Sequence, residues 1–138
     1  MDVDVDVTQA LFRGLAGYVR AVAQELDLPA EGTSFEISDT ATAYIGLAAR
    51  WPARPGRDLM LNWSECAGWS IAVETTPAEL TLVVAEFGAD PLPPPRPLAR
   101  FVTNTLAGHR RRVALDRARP DPINRHMLAA RLARYISD

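Results

Sequence analysis

The segment Arg57-Asp58-Leu59-Met60-Leu61-Asn62-Trp63-Ser64-Glu65-Cys66-Ala67-Gly68-Trp69-Ser70-Ile71-Ala72-Val73-Glu74-Thr75 contains two runs of strand-like alternation around a short polar centre. The alternating apolar residues are Leu59, Leu61, Trp63, Trp69, Ile71 and Val73. Period-two alternation places all of these side chains on one face of a sheet. Residues 64–68 are polar or small and end in glycine, as in a longer hairpin loop. The segment therefore predicts a β-hairpin.

The predicted hydrophobic core is centred on this hairpin. Trp63 and Trp69 stand at the two mouths of the turn, where aromatic side chains can pack across the strands. The predicted core residues are Trp63, Trp69, Leu61, Ile71 and, from a later segment, Phe101.

Length and composition indicate one globular domain. A chain of 138 residues with 48% hydrophobic and 23% charged residues has the size and composition of an ordinary single domain. Its one cysteine, Cys66, allows no intramolecular disulfide, which fits a reducing compartment. No apolar run approaches the roughly 20 residues of a membrane span, and the first residues lack the features of a signal peptide. These observations predict a cytoplasmic protein without membrane association.

Charge is divided unevenly along the chain, and there is no lysine. Residues 1–95 hold 5 arginines and 14 acidic residues, a net −9, whereas residues 96–138 hold 10 arginines and 3 aspartates, a net +7. Such a split can be neutralised within the chain, across a dimer or by an anionic partner.

The N-terminal part predicts one amphipathic helix over residues 9–26. Helical spacing is shown by Leu11, Leu15, Tyr18, Val19, Val22 and Leu26. Thr8 suits the N-cap, and residues 1–8 are predicted to be frayed because aspartate is a poor strand former at a chain terminus. Gly14 and Gly17 each weaken a helix by about 1 kcal/mol relative to alanine, so they predict a close approach to the sheet.

Further strands are predicted on both sides of the hairpin. Residues 35–37 and 41–49 predict two strands joined by a turn at 38–40, and the proline-containing segment 51–56 predicts a loop. Residues 79–87 predict a fifth strand. A short helix is the alternative there, because helical spacing is also satisfied by Leu80, Val83, Val84 and Phe87.

Two helices are predicted after the sheet. Residues 91–97 are too rich in proline for a helix or a central strand, so they predict a stiff connector, with a proline-rich recognition ligand as the alternative. Pro97 can open a helix that ends at Gly108, and Asp121 and Pro122 can begin the last helix. The shared apolar face of that helix consists of Ile123, Met127, Leu128, Leu132, Tyr135 and Ile136.

The predicted fold class is α+β in two layers. It comprises an N-terminal helix, an antiparallel sheet of four to five strands and two C-terminal helices, within a single domain over residues 9–138. Antiparallel pairing follows because the connections are too short for crossover helices.

The reactive residue types do not form a recognisable catalytic set. Cys66 lies in the predicted turn, whereas His109 and His126 lie in basic helical segments, so no nucleophile and base are brought together. The carboxylates Asp58 and Glu65 flank the hairpin, as Glu74 does, and charged residues at strand ends are ordinary. No set of residues has the spacing of a zinc site, and there is no glycine-rich phosphate loop. No catalytic residue, metal or cofactor is predicted.

Arginines between the last two helices are the strongest candidates for partner contact. The candidate residues are Arg110, Arg111, Arg112, Arg117, Arg119 and Arg125. A guanidinium gives persistent charge and bidentate contact with phosphate or carboxylate. The competing explanation is that these arginines pair with the acidic half of the same or a neighbouring chain. The sequence pI of about 5.7 disfavours a dedicated nucleic-acid binder.

A further pattern is carried by Gly17-Tyr18-Val19-Arg20-Ala21-Val22, Arg57-Asp58-Leu59, Leu61, Trp63, Glu65, Gly68-Trp69, Val73-Glu74, Leu92-Pro93, Pro95 and Ala99-Arg100-Phe101-Val102. It resembles a family of small actinobacterial proteins known only as a domain of unknown function. The likeness covers about residues 10–108 and excludes the tail 109–138. It implies an actinobacterial cytoplasmic protein, and no catalytic residue transfers from it. At the level of fold alone, the chain is also similar to secretion-chaperone-like α+β domains, which dimerise and bind peptide segments.

The sequence therefore predicts a non-enzymatic binding or regulatory module that acts through protein–protein contacts and forms a homodimer. The apolar stripe of residues 123–136 could contribute to the dimer contact, or it could cover the chain's own sheet. A nucleic-acid-associated protein that uses residues 109–119 is the alternative. A small enzyme with a pocket near the hairpin, lined by Asp58, Glu65 and a histidine, is the second alternative.

Overall fold

The computed structural model describes residues 3–51, 54–74, 82–88, 90–107 and 124–136. The elements in chain order are α1 (Val3–Glu25), β1 (Thr33–Ile37), β2 (Ala41–Trp51), β3 (Arg54–Ser64), β4 (Gly68–Val73), β5 (Leu82–Phe87), α2 (Pro95–Leu106) and α3 (Arg125–Leu132), with 3-10 turns at Ala30–Gly32 and Ala133–Tyr135. The strands form one antiparallel sheet in the order β1-β2-β3-β4-β5. The predicted α+β fold, with one helix before the sheet and two after it, is confirmed.

The hairpin forms from β3 and β4 as the alternation predicts. Trp63 lies opposite Trp69, and Leu61 lies opposite Ile71. The connecting turn is shorter than predicted, because Ser64 pairs with Gly68 and only residues 65–67 lie between the strands. Gly68 has φ +75°, the left-handed conformation that closes many three-residue hairpin turns.

The core lies between the helices and one face of the sheet. Leu61, Ile71 and Trp69 are 0% exposed and Trp63 is 2% exposed. The Trp63 and Trp69 rings lie 6.4 Å apart between centroids. Phe101 is half-buried on α2 and packs edge-on against Phe87 of β5, with centroids 5.3 Å apart. Residues of α1 complete the core, namely Leu11, Leu15, Tyr18, Val19 and Val22.

Helix α1 begins earlier than predicted. It starts at Val3, so the predicted frayed segment over residues 1–8 is wrong for residues 3–8, and Thr8 lies inside the helix. Residues 1 and 2 are outside the described part of the chain. The aspartates at positions 4 and 6 explain the early start, because acidic residues in the first turns are favoured by the helix dipole.

The two glycines of α1 approach the C-terminal helical segment, so the predicted approach to the sheet is wrong. A Cβ atom on Gly14 would lie 2.7 Å from the Cβ atom of Leu132. A Cβ atom on Gly17 would lie 1.8 Å from the carbonyl oxygen of Tyr135. Both distances are below van der Waals contact, so only glycine permits this packing.

The strands around the hairpin are longer than the sequence predicts. The predicted loop over residues 51–56 is wrong, because β2 continues to Trp51, which pairs with Arg54 at the start of β3. Pairing between the two strands overrides the local signal of proline and glycine in this segment. Residues 82–87 form a strand that pairs with β4. For these residues the strand prediction is confirmed and the helix alternative is wrong. Residues 75–81 are outside the described part of the chain.

The two C-terminal helices differ from the prediction at their starts. Helix α2 begins at Pro95, two residues before the predicted start at Pro97, because neither proline is needed as a hydrogen-bond donor in the first turn. The N-cap of α3 is Asn124, whose side chain accepts a hydrogen bond from the backbone N–H of Met127. Gly108, Asp121 and Pro122 are outside the described residues.

Helix α3 packs on α1 through part of its apolar stripe. Leu128 and Leu132 are buried in the core. Met127 is 57% exposed, so it does not share the buried face of Leu128 and Leu132. A helix of 8 residues followed by a 3-10 turn does not keep one α-helical face over the predicted length. The buried part of this stripe is therefore used within the chain and is not available for a dimer contact.

Candidate functional site

Within the described part of the chain, the helices pack on one face of the sheet, and no helix covers the opposite face, which we call the open face. Side chains on the open face belong to the polar half of the strand alternation, so they point away from the core. They surround a depression of about 710 Å³. The polar residues that line it are Ser34, Glu36, Thr42, Tyr44, Asn62, Ser64 and Ser70.

Short hydroxyl and amide side chains form the floor of this depression. Ser34 lies opposite Tyr44, which lies opposite Asn62, and Asn62 lies opposite Ser70. The row therefore crosses four neighbouring strands at one level of the sheet. Each hydroxyl and amide group offers both a donor and an acceptor, so the floor can pair with polar groups of a bound molecule.

A tyrosine–glutamate pair lies beside the floor. The Tyr44 hydroxyl donates a hydrogen bond to Oε1 of Glu74, which directly follows β4. The same hydroxyl lies 3.4 Å from the position of a Cβ atom on Gly46, so the Tyr44 ring lies along its own strand β2. This hydrogen bond, together with partial burial, raises the pKa of Tyr44 to about 12. Tyr44 is therefore neutral at physiological pH and presents its ring on the open face.

Acidic side chains flank the depression on opposite sides. Glu36 lies opposite Thr42 at the β1 side, and Glu86 lies opposite Ser70 at the β5 side. Both are exposed, whereas Glu74 is half-buried just after the end of β4, where it accepts the hydrogen bond from Tyr44. Among the described residues, no arginine lines the depression. The open face therefore carries negative charge over a polar floor.

At one end of the sheet, Arg125 joins two turns. Its guanidinium donates to Oε1 of Glu65 at 3.0 Å and to the backbone carbonyl oxygens of Ser38 and Asp39. The same Glu65 oxygen accepts the backbone N–H of Ala41 at 2.7 Å. Arg125 and Glu65 thus hold the β1–β2 turn against the β3–β4 turn.

The backbone of the proline-rich connector is hydrogen-bonded to side chains of the fold. The indole N–H of Trp63 donates to the Pro91 carbonyl at 2.7 Å, and the Tyr18 hydroxyl donates to the Pro93 carbonyl at 2.5 Å. Between them, the Leu92 carbonyl accepts from Arg131 at 3.0 Å. Three successive carbonyls are therefore used within the chain, which supports a connector over a proline-rich ligand.

Arg131 also forms an ion pair with Asp90 at 3.0 Å. Burial alone would raise the pKa of Asp90. Hydrogen bonds from Arg131 and the Leu92 N–H, together with the charge of Arg131, outweigh burial and lower the pKa. Both side chains are more than a third exposed, so solvent weakens this pair.

A family model for a family of unknown function, DUF6292, matches residues 18–104. The chain belongs to this family. The matched segment contains the whole open face and the hairpin, together with the Tyr18, Trp63 and Pro91–Pro93 contacts. Helix α3 lies outside the match. No curated protein and no solved structure gives a significant match.

The remaining predicted partner-binding residues cannot be assigned positions. Arg110, Arg111, Arg112, Arg117 and Arg119 lie outside the described part of the chain. In the part that is described, three arginines of the basic half pair with acids of the other half. These pairs are Arg96–Glu25, Arg125–Glu65 and Arg131–Asp90. The uneven charge along the sequence is thus partly neutralised within the fold.

The reactive side chains do not line the depression. Cys66 is exposed in the β3–β4 turn, and His126 is exposed on α3. Among the described residues, none of Asp58, Glu65 or His126 lines the depression, and no group of three or more His, Cys, Asp or Glu could hold a metal ion. His109 is outside the described residues. None of the helices in the described ranges is long and apolar enough to cross a membrane.

Sequence reasoning did not identify the open face as a candidate site. It followed the apolar half of the alternation, which specifies the core, and left the polar half between those positions unused. The available signal was the recurrence of hydroxyl and amide residues at alternate positions on neighbouring strands: Ser34, Thr42, Asn62, Ser64 and Ser70. Without the register, those residues could not be brought into one row.

Proposed function

We propose that this chain is a non-enzymatic protein-binding module of the cytoplasm that contacts its partners through the open face of the sheet. One observation carries the proposal: an antiparallel sheet covered by helices on one face presents a polar depression of about 710 Å³ on the other. An uncovered sheet face at this scale is large enough for a segment of another protein. The single exposed cysteine is consistent with a reducing compartment. The lack of lysine is consistent with the actinobacterial origin implied by the resemblance.

We further propose that the chain self-associates head to tail. The open face is acidic at Glu36 and Glu86, whereas α1 exposes Arg13 and Arg20 on the helical layer. Opposite charges on opposite layers favour contact between the sheet face of one copy and the helical layer of another. This arrangement replaces the dimer contact through residues 123–136, since α3 is packed on α1. The fold-level likeness to secretion-chaperone-like domains carries no argument here.

Sedimentation velocity at about 50 mM and about 500 mM salt tests the proposal, because exposed charges interact weakly at the higher ionic strength. We expect wild-type protein to associate at low salt and to dissociate at high salt. Asn62→Arg places a long cationic side chain in the depression and should weaken association. Ala30→Arg adds the same side chain at an exposed position of the 3-10 turn, outside the depression and the helices, and is the matched control. A wild-type monomer at both salt concentrations would refute self-association.

A further inference from the structure

We propose that the open face binds an extended, arginine-rich segment of a protein partner. This inference rests on the proposed function and names the chemistry of the partner. It concerns a partner other than a second copy of this chain.

The negative charge of the open face favours a basic partner. Glu36 lines the depression on the β1 side, and Glu86 is exposed on β5 opposite Ser70, which also lines the depression. Among the residues whose side chains the structure describes, Glu36 is the charged residue in the lining, and it is an acid. Guanidinium groups pair with carboxylates through two parallel hydrogen bonds, which gives both attraction and orientation.

The floor suits an extended backbone. The row of Ser34, Tyr44, Asn62 and Ser70 crosses four strands, which spans about 14 Å at a strand spacing of about 4.8 Å. An extended chain advances about 3.3 Å per residue, so roughly four or five residues cross the floor. Its backbone N–H and C=O groups then meet side chains that can donate and accept. The two flanking glutamates are placed to meet arginines near the ends of such a segment.

Tyr44 adds an aromatic surface between the carboxylates. Its hydroxyl is held by Glu74, and its ring lies along β2 beside Gly46. A guanidinium can stack on a tyrosine ring while pairing with a nearby carboxylate. This combination favours arginine over lysine, whose ammonium group makes no planar contact. Phosphate-bearing partners are disfavoured because the same carboxylates repel them.

The probe is a short fluorescent peptide in which arginine alternates with serine. It is titrated with the full chain at protein concentrations below those at which sedimentation shows self-association at the same salt concentration. The matched control peptide contains citrulline at each arginine position, which keeps the shape of the side chain and removes its charge. We expect the arginine peptide to bind at about 50 mM salt and to weaken at about 500 mM, and the citrulline peptide not to bind.

Two double variants locate the contact. Glu36→Gln with Glu86→Gln should weaken binding by about tenfold, because each exposed ion pair contributes modestly. Asp27→Asn with Glu31→Gln removes the same charge from exposed positions outside the depression and should leave affinity unchanged. All four positions are exposed, so both variants are expected to fold normally.

Three results would overturn the inference: equal binding of the citrulline peptide, equal loss in both double variants, or peptide binding only after Arg110, Arg111 and Arg112 are replaced by alanine. The last result would mean that the chain's own arginines occupy the face. If no arginine peptide binds but Asn62→Arg still weakens self-association, the proposed function stands and this inference fails. If neither effect is seen, both fail.

Discussion

At the residue scale, Tyr18 joins three parts of the fold through one hydroxyl group. It accepts a hydrogen bond from the indole N–H of Trp69 at 3.1 Å and donates one to the Pro93 carbonyl at 2.5 Å. The side chain is 0% exposed, and burial is the main cause that raises its pKa. Helix α1, strand β4 and the proline-rich connector are thereby linked at one buried point.

Tyr18→Phe should therefore destabilise the protein although it keeps the ring. The change leaves the Trp69 N–H and the Pro93 carbonyl buried without this partner, which costs about 2–4 kcal/mol in unfolding free energy. Urea denaturation followed by tryptophan fluorescence measures the loss. Tyr44→Phe is the control. Tyr44 is half-buried on the open face, where water can reach it, so we expect the unfolding free energy to fall by less than about 1 kcal/mol. Equal unfolding free energies for wild type and Tyr18→Phe would contradict this account.

The sequence predicted that the two hairpin tryptophans form a cross-strand pair, but it did not predict the hydrogen-bond partners of their indole N–H groups. Alternation along two adjacent strands is local information, and it specified the Trp63–Trp69 register correctly. The partner of the Trp63 N–H is Pro91, 28 residues away, and that of the Trp69 N–H is Tyr18, 51 residues away. Such contacts depend on how helix and connector pack on the hairpin, which no periodicity in the sequence encodes.

At the scale of elements, α1 carries two glycines where it meets the C-terminal helical segment. Gly14 faces Leu132, and Gly17 faces the backbone of Tyr135. The sequence signalled an unusual position through two glycines in a helix, but it could not indicate which neighbour approaches. The approach also brings the Tyr18 and Tyr135 rings to 4.8 Å between centroids. The last helical segment can therefore pack this closely on α1 only because positions 14 and 17 are glycines without a Cβ atom.

Gly17→Ala should displace that segment. The added Cβ atom would lie 1.8 Å from the Tyr135 carbonyl oxygen, so the backbone has to move. Alanine favours the helix by about 1 kcal/mol, but overpacking at a fixed backbone costs about 1–3 kcal/mol or more, so we expect net destabilisation. Hydrogen exchange should show lower protection over residues 124–136.

Gly32→Ala is the matched control for this change. A Cβ atom at Gly32 would meet nothing within 4 Å, so we expect no loss of protection. Unchanged protection of the C-terminal segment in Gly17→Ala would show that the two elements are not in close contact.

Element boundaries show where local signals and tertiary structure diverge. Proline and glycine at 51–56 predicted a loop, yet pairing extends β2 and β3 through most of that segment. Prolines at 95 and 97 predicted a connector, yet both fit the first turn of α2 because that turn needs no backbone donors. Element order and type were predictable from periodicity, whereas the ends were decided by pairing and capping.

At the scale of the whole molecule, exposed charges of opposite sign lie on the two layers, and this arrangement does not follow the division of charge along the sequence. Exposed arginines on the helices include Arg13 and Arg20, whereas the open sheet face carries Glu36 and Glu86. Counting charged residues along the sequence gave a net charge of −9 for one half and +7 for the other, but it could not show on which layer each charge lies. Ion pairs between the halves, such as Arg131–Asp90, already use part of the basic charge. What remains for partners is a molecule with one acidic face and one face that displays arginines.

Nucleic-acid binding is the alternative that this charge distribution bears on most directly. We expect no DNA binding that persists at about 200 mM salt, because the acidic face repels the phosphate backbone that residues 109–119 would attract. If all five arginines of residues 109–119 contacted phosphates, the salt slope would be about −4.5, and affinity would fall roughly 500-fold between about 50 mM and 200 mM salt. A fluorescence titration with mixed duplex DNA at those two concentrations measures the slope. The variant with Arg110, Arg111 and Arg112 replaced by alanine should lose any weak binding seen at low salt. Micromolar affinity at the higher salt, abolished in that variant, would instead make nucleic acid the partner and displace the protein-binding proposal.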